Sequence, residues 1–64
     1  MGDFMERVVL EKKELDEKLN ALHDFFNTPI FHSLESKEQE RMTRQFYGME
    51  LYSYSLGERI DAYK

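Results

Sequence analysis

The chain has 64 residues, no cysteine, two histidines and a formal charge of −4. It makes one domain, residues 1–64, that buries only about 60% of its unfolded surface, and the missing cysteine excludes disulfides and thiolate metal sites. Mixed, net-acidic charge excludes general binding to duplex DNA, which needs a dense basic face. No apolar run nears the roughly 20 residues of a membrane span and no signal peptide is read, so the expectation is a soluble, cytosolic protein.

The first element is an amphipathic helix, expected over about residues 4–27. Asp3 and Glu6 have the spacing of a capping box at its start. Steps of three and four collect Met5, Val8, Leu15, Leu19, Leu22 and Phe26 on one face, and one step lands on Lys12. The only proline, Pro29 in "NTPIF", pushes Thr28 out of helical geometry and ends the helix. Residues 28–36 are expected to be a loop, with Ile30, Phe31 and Leu34 folding under the closed end.

A second helix is expected over about residues 37–63. Ser36 and Gln39 read as a capping box, and Glu38 suits the positive end of the helix. Its stripe is Met42, Phe46, Met49, Ser53, Leu56, Ile60 and Tyr63, and it runs through Gly48 and Gly57. Folding the helices back at Pro29 pairs Phe26 with Met42, Leu22 with Phe46, Leu15 with Ser53, Lys12 with Leu56 and Val8 with Ile60. One constant register satisfies both stripes, as an antiparallel two-helix hairpin requires. The fold class is therefore all-α: a hairpin that assembles into a homo-oligomeric helical bundle, since a lone hairpin of this size is poorly stabilised.

Three features stand outside that core pattern. Lys12 falls one step from Ser53, so the two polar interruptions coincide. The ordinary reading is a snorkelling stem or a register-fixing polar pair, and the sharper one is a notch for phosphate or carboxylate. Arg41, Arg44, Gln45, Gly48, Tyr52, Ser55 and Arg59 project within about 60° of one direction. Arginines bind phosphate bidentately, tyrosine stacks on a base and glycine permits close approach; the ordinary reading is a solvated face with Arg44 paired to Glu40. Tyr47, Leu51 and Tyr54 form a second apolar strip that a single hairpin leaves exposed, which points to an interface.

Catalysis finds little support. Asp16 and Glu17 are adjacent on a helix and face different ways, Ser33, Ser36, Ser53 and Ser55 have no nearby base, and a Glu-x-x-His metal motif is absent. No enzyme, metal or cofactor is expected.

The order of signals from residue 7 to residue 60 resembles a group of very small phage and prophage helical proteins, related to small crAss-like phage proteins. The positions that carry the resemblance are Arg7-Val8, Glu11-Lys12, Glu14-Leu15, Lys18, Leu22 and Phe25, then Phe31, Leu34, Glu38-Gln39, Gln45, Met49, Tyr52, Leu56 and Arg59-Ile60. Such loops often carry proline and acidic residues where this chain has Ser36. The resemblance implies a non-structural phage protein that counters host defence in the bacterial cytoplasm. Some such proteins are helical oligomers that sequester nucleotide immune signals between subunits; others bind and block a host protein. The expectation is thus a non-enzymatic sponge holding a small phosphorylated nucleotide with Lys12, Arg44, Tyr52, Ser53 and Arg59. The alternative is blockade of a host protein by the Tyr47, Leu51 and Tyr54 strip.

Overall fold

A computed structural model describes residues 2–63, with side chains from Phe4 to Tyr63. The chain forms α1 (Gly2–Phe25), α2 (Pro29–Ser33) and α3 (Ser36–Ala62), with no strand among the described residues. The long helices α1 and α3 pack antiparallel as a hairpin 47 × 15 × 13 Å. The expected cap at Asp3 lies outside the described residues.

The register is the one the two stripes demand. Phe4 meets Tyr63 at the open end with ring centroids 6.4 Å apart. Lys12 and Asp16 meet Ser53 midway, and Phe26 meets Phe46 near the closed end at 5.4 Å. Val8, Phe31 and Leu56 are the buried apolar residues, with Leu56 only 1% exposed. Of the remaining seam residues Leu15, Leu19, Leu22, Met42 and Met49 are half-buried, and Tyr63 at the open end is exposed. A two-helix seam covers each side chain from one direction only, so this core is thin.

The turn departs from the expected helix–loop–helix bounds. α1 stops at Phe25, two residues early, because Asn27 and Thr28 donate to carbonyls only three residues back, at 3.1 and 3.0 Å. Such bonds tighten and end the last turn. What was expected as loop contains a short helix. Thr28 caps it, its Oγ1 accepting from Phe31 N at 3.3 Å, and Pro29 opens it, where its missing N–H and fixed φ cost nothing. Phe31 is thereby driven under the hairpin, 4.8 Å from Phe26 and 6.1 Å from Phe25 between ring centroids. Leu34 is half-buried and Ile30 points outward.

The expected capping box at Ser36 is not what starts α3. Glu35 is the N-cap residue, without a side-chain cap bond. Gln39 instead donates from Nε2 to the carbonyls of Leu34, at 2.9 Å, and His32, at 3.3 Å. Those carbonyls are left over where α2 ends, and they lie within reach of an amide one turn into α3.

Candidate functional site

The hairpin has two long flanks, and the polar residues outside the core divide between them. On one flank Lys12 leans across from α1 to α3. Its ammonium donates to Asp16 Oδ2 at 2.7 Å and to Ser53 Oγ at 3.1 Å, and Ser53 donates to Asp16 Oδ1 at 2.5 Å. Gly57 leaves room for the crossing, since a Cβ there would lie a tight 3.3 Å from Lys12 Cε. The hydrogen bond from Lys12, then the one from Ser53, hold the Asp16 carboxyl below its ordinary value; burial opposes them and the lysine charge adds to them.

Two open cavities of about 320 and 280 Å³ flank this cluster and share Lys12, Ser53 and Tyr54 as walls. Glu50 lines the first, and Glu58 and Asp61 line the second. Lys12 therefore enters the notch with its charge already set against Asp16, among further carboxylates. Ser53 is 8% exposed and gives its proton to a carboxylate, which is the geometry of a structural hydroxyl rather than of an activated nucleophile.

The other flank carries the arginines. At about 100° per residue, Tyr52 and Arg59 project roughly 100–120° away from Ser53 around α3, and Tyr54 projects the opposite way. The structure thus joins Lys12 to Ser53 but places Tyr52 and Arg59 on the far side of the hairpin from them, with Arg44 further round the back. Arg59 is held by α1: its guanidinium sits 5.7 Å from the centroid of the Phe4 ring. Tyr52 is 46% exposed, and nothing lies within 4 Å of a Cβ built on Gly48. Arg41 is engaged by Glu38 at 2.8 Å. Arg44 makes no ion pair among the described residues, so the expected pairing with Glu40 does not form.

Residues 2–62 match the Sequestin family. The chain belongs to that family. It is also similar to a curated protein of Enterobacteria phage T4, an uncharacterized 7.5 kDa protein from the denB-rIIB intergenic region. The two are 34% identical over 61 residues, which is 95% of either chain. No solved structure matches. The resemblance to small phage proteins therefore holds at the level of the family and of this relative.

Within this Sequestin-family chain, among the described residues, no three His, Asp or Glu side chains are grouped to hold a metal ion. Nor is any helix among them long and apolar enough to cross a membrane. Tyr47, Leu51 and Tyr54 are 63%, 69% and 67% exposed, a contiguous apolar strip on the back of α3. Sequence reasoning did not single out Asp16 as Lys12's partner or Phe4 as Arg59's platform. The four-residue spacing of Lys12 and Asp16 was a readable signal; the Phe4 contact depends on the two helices meeting at the open end.

Proposed function

We propose that this chain is a non-enzymatic sponge that holds a small phosphorylated nucleotide signal, and so counters a bacterial host's defence from within its cytoplasm. The observation that carries this reading is the arginine flank. Two guanidiniums, Arg44 and Arg59, have no carboxylate partner among the described residues and stand either side of the exposed Tyr52 ring. Each lies about 10–12 Å from Tyr52 along the helix, at 1.5 Å per residue, a spacing that one nucleotide spans. Guanidinium forks take phosphate, and the tyrosine face takes a base. The name of the Sequestin family fits a protein that binds and withholds.

Self-association completes the reading. The chain exposes 5114 Å², whereas a compact monomer of its mass exposes about 4,400 Å². The excess is close to the roughly 800 Å² that each partner commonly buries in a stable complex. Lys12 and Ser53, tied to Asp16 and pointed away from Tyr52, then hold the alignment of the hairpin rather than the ligand. The exposed Tyr47, Leu51 and Tyr54 strip supports a second reading, in which the chain covers and blocks a host protein.

Calorimetry against a panel of cyclic and linear nucleotides tests the choice. A sponge binds one of them, releases it intact on heating, and loses at least tenfold in affinity as Arg59→Ala. If no nucleotide binds, the reading is wrong and the host-protein reading takes its place.

A further inference from the structure

We infer that the phosphate of the sequestered ligand is gripped at the open end of the hairpin, by Arg7 of α1 and Arg59 of α3 on either side of the Phe4 ring. This rests on the nucleotide reading above and adds to it a cation from α1, a location and an orientation for the ligand.

The grip follows from one contact and one helix period. Arg59 lies over Phe4, at 5.7 Å from the ring centroid, and Tyr63 backs the same ring at 6.4 Å. A guanidinium held near a ring face by cation–π attraction keeps its N–H donors for phosphate oxygens, because the ring takes up none of them. Arg7 is three residues beyond Phe4, so it stands on the same face of α1 one turn further on. It is exposed and makes no ion pair among the described residues, although Glu11 lies a turn away on the same helix. The antiparallel register brings its level beside the last turn of α3, where Arg59 sits. By helical period both side chains leave the same flank of the hairpin, from helices roughly 8–10 Å apart.

Lys12, Arg41 and Arg44 are less well placed. Lys12 is committed to Asp16, in a notch whose other walls include Glu50 and Glu58. Arg41 is committed to Glu38. Arg44 is about 22 Å down the helix from Arg59, at 1.5 Å per residue, with no aromatic platform among the described contacts. With the phosphate between Arg7 and Arg59, Tyr52 lies about 10 Å back along α3, where it meets the base.

Titration of the labelled full chain with inorganic pyrophosphate, read by amide chemical shifts, tests the grip. Arg7, Arg59 and Phe4 should show the largest changes. Arg7→Gln should weaken pyrophosphate at least tenfold with unchanged helicity, Arg7→Lys should recover part of that loss, and any nucleotide found by the panel should weaken in parallel. Changes centred on Lys12, or an Arg7→Gln chain that binds pyrophosphate as the wild type does, would overturn the inference. The two failures separate: nucleotide binding that survives Arg7→Gln unchanged removes the grip and leaves the sponge standing. Pyrophosphate held at Arg7 and Arg59 by a chain that binds no nucleotide does the reverse.

Discussion

Lys12 and Ser53, 41 residues apart in the chain, are joined by a hydrogen bond of 3.1 Å, and Asp16 accepts from both. A lysine and a serine in an apolar seam each carry a desolvation cost, and here each answers the other. No buried side-chain nitrogen or oxygen among the described residues lacks a partner. The pair also forms only when α1 and α3 sit in this register, because a slip of one turn would bury the ammonium against apolar side chains. The polar interruption thus selects one alignment of the hairpin at some cost to its stability.

This cluster makes the hairpin acid-sensitive in a stated direction. The Asp16 carboxyl titrates lower when folded than when unfolded. Its contribution is therefore fully present above the ordinary carboxylate range and is lost as pH falls through the lowered value. Urea midpoints measured from neutral to acid pH should fall for the wild type and fall less steeply for Asp16→Asn. Because both partners are partly open to water, the neutral-pH cost of that substitution should be modest, about 1 kcal/mol. Identical pH slopes for the two chains would show that Asp16 is not the linked group.

The two glycines of α3 should respond differently to alanine. Nothing lies within 4 Å of a Cβ at Gly48, so Gly48→Ala should gain the full helical preference of about 1 kcal/mol and raise Tm by roughly 4–8 °C. At Gly57 the new methyl would press on Lys12 Cε at 3.3 Å, and that stem is tied down at its far end by Asp16. Gly57→Ala should therefore gain less than Gly48→Ala, or nothing. Melting curves followed by circular dichroism compare them directly, and equal gains would mean that Lys12 moves freely.

Phe31 should carry more stability than any seam residue. It closes the turn against Phe25 and Phe26 and is one of the three apolar residues that the fold buries. Truncating a buried phenylalanine to alanine costs about 3–5 kcal/mol. A domain of this length has only about 3–10 kcal/mol in total. Phe31→Ala should be largely unfolded at 37 °C by far-ultraviolet circular dichroism, while Phe31→Leu keeps most of its helicity. A cooperative wild-type-like melt from Phe31→Ala would show that the closed end is not a plug.

The sequence made the hairpin legible because its two stripes are long and mutually consistent. Lone polar positions at Lys12 and Ser53 have only one alignment in which they meet. Short-range chemistry at the turn was less legible. Thr28 followed by Pro29 carries the signature of a helix start, yet five residues are too few for periodicity to show a helix. Ser36 and Gln39 matched a capping box by spacing alone, but Gln39 had better-placed carbonyls at the end of α2, which exist only once α2 does. The arginines and Tyr52 fall on one face of α3 by helical period alone. Which side of the hairpin it shares with Lys12 depends on both helices together, and that is where a single-helix count stopped.

The exposed strip of Tyr47, Leu51 and Tyr54 gives the last prediction. Leu51 sits at its centre and is 69% exposed. It points away from the seam, so a charge there touches no intramolecular packing. Sedimentation equilibrium should give the wild type a mass of two or more chains, and Leu51→Glu should return it to one chain with helicity nearly intact. The substitution works because an interface core that excludes water must strip the carboxylate of its hydration without giving it a partner. An unchanged oligomer would move the interface to the second apolar groove, about 360 Å³ between Met5, Val9 and Leu10 on α1. A wild type that sediments as one chain would instead leave the strip free for a host protein.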